Sequence, residues 1–301
     1  MLAHRLALAL CAATFVLILI GGLVTNTGAA LAVPDWPTTF GYNMFLFPWS
    51  KMVGGILYEH SHRLLGAAVG ILTVALGVTL WLSERRRWLR WLGVAALLAV
   101  TLQGVLGGLR VLLAEDAIAI VHGSLAQAFF GLAVCLALFT SPSWATAPAH
   151  AADALPLRRL SLLTTGVAYL QIVFGAFLTH FGARLDGHLA GAAALALLVP
   201  ALALRVRRRH GDRPELVRPA RGLLALLLLQ IFLGLGAYAA RFTGLALPLV
   251  PYSVLAFPVA HRLTGGLLLG ASLLLTLRCY HLLARPEARV AGRLFSREAA
   301  A

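Results

Sequence analysis

The sequence predicts an all-α, polytopic membrane protein with eight transmembrane helices arranged as two repeat-related four-helix bundles. Three observations lead there. Hydrophobic residues make up 60% of the 301 residues and charged residues only 12%, with a mean hydropathy of +0.87, a composition unsuited to a soluble domain. The apolar residues gather in eight runs of the length that crosses a bilayer, roughly 17 to 25 residues. A short Gln-containing motif recurs in three of those runs, as an internal repeat would place it.

The runs cover residues 6–24, 57–82, 91–109, 117–140, 160–179, 185–204, 222–240 and 258–281. Hydrocarbon offers no hydrogen-bond partners to the main chain, so runs of this length are expected as helices. The first lacks a small-residue cleavage site after it and is read as a helix rather than a signal peptide. The long loop after it, 25–56, carries Pro34-Asp35-Trp36-Pro37 and the aromatics Phe40, Tyr42, Phe45, Phe47 and Trp49. It is placed to cover a site formed by the first helices. The third run contains Leu102-Gln103-Gly104-Val105-Leu106-Gly107, the fifth Leu170-Gln171-Ile172-Val173-Phe174-Gly175, and the seventh Leu229-Gln230-Ile231-Phe232-Leu233-Gly234. An Ala- and Pro-rich linker, 141–159, divides the chain into an N-terminal bundle, 1–140, and a C-terminal bundle, 160–301.

A formal charge of +14 raises the question of nucleic acid. The distribution of the charge answers it. With both termini on the cytoplasmic side, most basic residues fall in cytoplasmic segments: Arg5; Arg85, Arg86, Arg87 and Arg90; Arg158 and Arg159; the run from Arg205 to Arg221; and Arg278, Arg285, Arg289, Arg293 and Arg297. That is the positive-inside pattern, with anionic lipid headgroups as the natural contacts. It predicts a multi-pass protein of the cell (inner) membrane and no nucleic-acid partner. Cys11, Cys135 and Cys279 fall in the inner halves of their helices, show no metal-binding spacing, and are read as small hydrophobes without a disulfide.

Histidine carries the chemistry. His62, His122, His188 and His261 each stand just inside one end of an even-numbered run, and each is followed four positions on by a small residue: Gly66, Ala126, Ala192 and Gly265. Positions i and i+4 share a helix face, so a flat group could lie beside each imidazole. From His62 to Arg85, His188 to Arg205 and His261 to Arg278 the rise is ~26 to 35 Å. All four histidines therefore sit near the outer face. Histidine inside a transmembrane helix points to function, although a single one at a helix end is as readily an interfacial residue. Four in repeat-related positions favour paired axial ligands of haem iron, His62 with His122 and His188 with His261. Arg63 and Arg262 directly follow a histidine in each half. They are candidates for binding haem propionates, against the plainer reading of snorkelling to headgroups. Glu59 shares a face with His62 and Arg63, and the second half has no counterpart. It either pairs with Arg63 or marks a difference of task between the pockets. His60, about 200° around the helix from His62, and His180 are read as interfacial or loop residues.

Glu59-His60-Ser61-His62-Arg63, Pro34-Asp35-Trp36-Pro37, Val121-His122-Gly123 and Ala260-His261-Arg262 resemble the heme A synthase family along essentially the whole chain. The resemblance implies an eight-helix enzyme that oxidises the C8 methyl of heme O to the formyl group of heme A for cytochrome oxidase. It implies haem b (iron) as cofactor on His188 and His261, and heme O as substrate near His62, His122 and the catalytic Glu59. Partners would be heme O synthase and an electron donor. One branch of the family has paired cysteines flanking the turn; here Val33 and Thr39 stand there, so no thiol-dependent role carries over. The alternatives are a bis-histidine b-type cytochrome and a non-catalytic haem carrier. A transmembrane electron wire needs haems at two depths, which four histidines at one depth do not supply. A prenyl transferase needs clustered aspartates, and Asp35, Asp116, Asp153, Asp186 and Asp212 are scattered.

Overall fold

A computed structural model describes residues 1–145, 149–150, 154–243 and 252–284. The linker expectation for 146–148 and 151–153, and the tail arginines Arg285, Arg289, Arg293 and Arg297, lie outside the described residues. Eight long helices account for nearly all of what is described: α1 Leu2–Asn26, α2 Gly54–Ser83, α3 Arg87–Leu113, α4 Asp116–Thr140, α5 Ala154–Phe181, α6 Leu185–Arg209, α7 Pro214–Phe242 and α8 Tyr252–Leu282. All eight are long and apolar enough to cross a membrane. Each overruns its apolar run, because the flanking polar residues continue the helical turn into the interface. Many large apolar side chains, among them Ile71, Leu98, Leu197 and Leu235, remain exposed on outward helix faces, as contact with lipid requires.

The packing order is the same in both halves. α1 packs on α2, α2 on α3, α3 on α4 and α4 back on α1; α5, α6, α7 and α8 close a second ring in the same sequence. Each ring has its own buried cluster, one around Leu10, Leu76, Leu80 and Leu136, the other around Leu157, Leu202, Leu223 and Leu275. The rings meet through α1, α4, α5 and α8, with contacts of α4 to α5, α4 to α8 and α1 to α8. Exchanging α1 with α5 and α4 with α8 leaves that set unchanged, the pattern a two-fold repeat would produce.

Lipid tails compete equally for apolar surface, so the helices associate through close approach and polar contacts. At Gly77 and Gly93 α2 and α3 come so near that a Cβ on Gly77 would stand 2.9 Å from Leu97. Between α5 and α8 the Thr165 hydroxyl bonds Ser272 and Thr276 at 2.7 and 2.9 Å. Turns at the histidine end are unequal. Ala114 joins α3 to α4 and Arg184 leads into α6, both at positive φ, whereas α1 and α2 are joined by the long loop 27–53.

Candidate functional site

In each ring the histidines come from diagonally opposed helices and face one another across the bundle centre. The rings of His62 (α2) and His122 (α4) have centroids 6.5 Å apart, and those of His188 (α6) and His261 (α8) 6.1 Å. The interplanar angles are 79° and 67°. Two metal–imidazole bonds of ~2 Å each, with the inner half of each ring added, give a separation of about 6 Å. Both pairs are therefore spaced so that each could hold one haem iron between its imidazoles.

What holds each ring is common to all four. His62 lies against Gly21 of α1, His122 against Gly107 of α3, His188 against Gly175 of α5 and His261 against Gly234 of α7. A Cβ at these glycines would stand 3.0, 3.5, 3.2 and 2.9 Å from the respective ring. One turn earlier on the same helix, a main-chain carbonyl faces the ring's Nδ1. His188 Nδ1 bonds the carbonyl of Gln171 and His261 Nδ1 that of Gln230, each at 3.2 Å. His122 and His62 are turned toward the equivalent carbonyls of Gln103 and Leu17, with Nδ1 short of a full hydrogen bond. A ring that donates from Nδ1 keeps its lone pair on Nε2. At His261 the amide of Gln230 lies 3.2 Å from Nε2, where that lone pair accepts. A carbonyl orienting the far nitrogen is the usual support of a metal-ligating histidine. The donor set thus fits haem. Among the described residues no group of three or more His, Cys, Asp or Glu side chains is arranged for a bare metal ion, and two axial imidazoles suffice for an iron whose other ligands come with a porphyrin.

The repeated Gln-x-x-x-Gly segments seen in the sequence thus supply both the carbonyl and the gap for the ring. The fourth copy, Leu17 to Gly21 on α1, escaped sequence reading because its first residue is Leu; the signal was the glycine spacing. Of the small residues at i+4, Gly66 opens onto free space, while Gly265 faces the Gln230 amide, 3.4 Å from where its Cβ would be.

The surroundings of the two pairs differ. Glu59 is 4% exposed; its Oε2 accepts the Val33 amide at 2.9 Å and its Oε1 accepts Arg63 Nη2 at 2.8 Å. Arg63 donates further from Nη1 to the carbonyls of Asp35 and Thr38, at 2.7 and 2.9 Å, and from Nη2 to that of Val33, at 2.9 Å. The pair clamps the loop 33–38, and a propionate would have to share those donors. Asp35 closes the turn by accepting from Thr38, Phe40 and Gly41. Desolvation opposes ionisation of Asp35, but the amides of Gly41 and Phe40 and the Thr38 hydroxyl outweigh it and hold the carboxyl at about 2. Trp36 packs where a side chain on Gly108 would otherwise stand, next to the glycine that borders His122.

His60 is fully buried against the loop, with Nδ1 3.2 Å from the Thr39 hydroxyl and its ring 5.0 Å from that of Phe47. Val33 and Thr39, the positions that flank the turn, are both fully buried and both fasten the loop to α2. His180 sits in the last turn of α5. Arg262 is on α8, in the contact surface between the rings, and donates to Thr25 of α1 at 3.3 Å. The two His-Arg dipeptides are alike in sequence but not in place. Cys279 is buried, Cys11 and Cys135 are half-buried, and all three are free thiols.

Residues 48–187 match a family model described as Cytochrome oxidase assembly protein. No curated protein matches the chain.

Proposed function

We propose that this chain, a member of the cytochrome oxidase assembly (heme A synthase) family by its match over residues 48–187, oxidises the C8 methyl group of heme O to the formyl group of heme A. The observation that carries this reading is the inequality of two otherwise matching pairs. His62 and His122 lie beneath a loop fastened by a buried carboxylate–guanidinium pair. Among the described residues, the polar partners of His188 and His261 are the glutamines of α5 and α7. The first pair, with the loop over it, would hold heme O as substrate; the second would hold haem b permanently. Residues 1–140 would then form the substrate bundle and 160–301 the cofactor bundle. The arginine distribution supports cytoplasmic termini and histidine pairs near the outer face of the inner membrane.

Haem b, when bound, supplies one-electron transfer to and from the substrate site. The chain's own residues would do the rest. The carbonyls of α1 and α3 orient the imidazoles, and the loop 27–53, anchored by Trp36 and Arg63, keeps water out so that fixed charges act at low dielectric. Each of two successive oxidations at the methyl carbon would take one oxygen atom from an admitted water and release two protons, with two electrons passed to an external acceptor, giving first the alcohol and then the hydrated aldehyde, which expels water. Glu59, one turn from His62, is the carboxylate proposed to stabilise positive charge at that carbon or to take its proton. Arg63 would meet a propionate with the loop open; Arg262 would meet one at the contact between the rings.

Pigment extracted from the purified protein and separated by chromatography tests the reading. Wild type should yield haem b together with heme O, the alcohol or heme A. His188→Ala and His261→Ala should lose haem b, and Glu59→Gln should keep haem b and fail to reach heme A. Haem b alone at both sites of wild type would mean a b-type cytochrome, and full conversion by Glu59→Gln would remove Glu59 from catalysis.

A further inference from the structure

At the histidine end, the surface where the two rings meet holds charged groups besides Arg262. α3, α5 and α7 each carry a basic residue in the last turn: Arg110, His180 and Arg241. A cation at a helix C-terminus is favoured by the helix dipole alone, which would account for any one of them. It does not account for their convergence. Arg110, Asp116, Arg241 and Arg262 all lie within electrostatic reach of His180, so five helices deliver charged groups to one neighbourhood. Arg241 crosses to α1 and donates to Asn26 Oδ1 at 3.1 Å, and Arg262 donates to Thr25 beside it.

Three guanidinium groups and an imidazole are opposed here by one carboxylate, Asp116, which accepts from Arg110 Nη2 at 3.2 Å. Guanidinium stays charged in any protein environment. Yet Nε and Nη1 of Arg110 are buried with no hydrogen-bond partner, on a side chain only 16% exposed. Buried donors left unpaired are costly, and the strongest acceptors for guanidinium N–H groups are the oxygens of a carboxylate or phosphate. Both histidine pairs border the place. Arg262 directly follows His261, and Arg110 is one turn beyond the glycine that touches His122. Arg241 continues the helix whose Gly234 touches His261.

We propose that Arg110 and Arg241, together with Arg262 and His180, form a shared anion site between the bundles that receives the porphyrin carboxylates from both histidine pairs. This rests on the haem reading above. It adds Arg110 and Arg241 as binding residues and makes one basic pocket common to both sites. A phospholipid phosphate is the other source of the same chemistry.

The test is a titration of the full chain, expressed with haem synthesis limited and purified in detergent, with haemin and with haemin dimethyl ester, read at the Soret band. Wild type should bind haemin about tenfold or more tighter than the ester. Arg110→Gln and Arg241→Gln should lose most of that preference by weakening haemin alone, and Arg110→Lys, which keeps the charge, should retain part of it. An undiminished preference in both Gln variants overturns the site. So does equal binding of haemin and ester by wild type, the result expected if the pocket serves a lipid phosphate, in which case added phosphatidylglycerol rather than haemin would protect Arg110 variants and wild type unequally against thermal unfolding. Absence of a bis-histidine spectrum with either probe removes the haem reading itself, and is distinguishable from both.

Discussion

The Nδ1–H of His188 and His261 goes to a glutamine main-chain carbonyl, and this choice of acceptor has consequences at the level of single residues. A carbonyl is supplied by any side chain, which is why Leu17 can stand in α1 where Gln stands in the other odd helices. It also fixes the ring's tautomer without adding charge to a site in hydrocarbon, where an unpaired ion is expensive. Glu59 and Arg63 follow the opposite strategy: both ions are buried, and each is further bonded to the main chain of the loop, the condition under which such a pair is tolerated. Asp35 gives a pH prediction. Its carboxyl is held at about 2 in the folded loop against an ordinary 3.8. The stabilisation it lends the turn is therefore complete above the ordinary value and lost as pH falls through about 2. Trp36 fluorescence, taken as the difference between wild type and Trp36→Phe, should report an intact turn at pH 5 and a released one near pH 2, with Asp35→Asn giving the released signal already at neutral pH.

Helix by helix, the four imidazole-facing glycines are the most informative element. A mid-helix glycine costs roughly 0.5–1 kcal/mol relative to alanine, so each odd helix carries that penalty to admit a ring. The cost of adding a methyl should follow the space. At Gly234 and Gly21 a Cβ would stand 2.9 and 3.0 Å from the imidazole, at Gly175 3.2 Å, and at Gly107 3.5 Å, an ordinary contact. Gly234→Ala and Gly21→Ala should each cost about 1–3 kcal/mol through displacement of the ring and weaken haem retention in their own pair. Gly175→Ala should do so less, and Gly107→Ala should be neutral or slightly stabilising. Haem content and thermal melting of the four variants check the ranking; equal effects at all four would contradict it.

At the scale of the whole molecule, two closed rings share one contact surface, and position in the ring assigns different tasks to similar residues. α2 is remote from the contact surface, so Arg63 serves the loop; α8 is in it, so Arg262 faces the other bundle. The arrangement puts the loop 27–53 at one end and the arginine-rich ends of α6 and α7 at the other. A single cysteine at Ser50, by Ser50→Cys, should react with an impermeant maleimide in intact spheroplasts, and one at Arg208, by Arg208→Cys, only after permeabilisation; both positions are exposed. The reverse order would invert the orientation drawn from the arginines.

The number, type and approximate ends of the helices were legible from the sequence alone, because a bilayer core demands long apolar helices. That the four histidines share one end of the bundle and the arginine-rich helix ends lie at the other also followed from residue spacing. Tertiary structure alone decided which helix each histidine leans on. It brought Val33 to Glu59 and turned His60 inward, since those partners are far apart in the chain and meet only through packing. It also separated two identical His-Arg pairs into a loop clamp and a contact-surface residue, and gathered Arg110, His180 and Arg241 into one place. Helix formation in a membrane is a local requirement that composition satisfies, whereas which helix faces which is settled by close approach at small residues and by the polar groups that must find one another away from water.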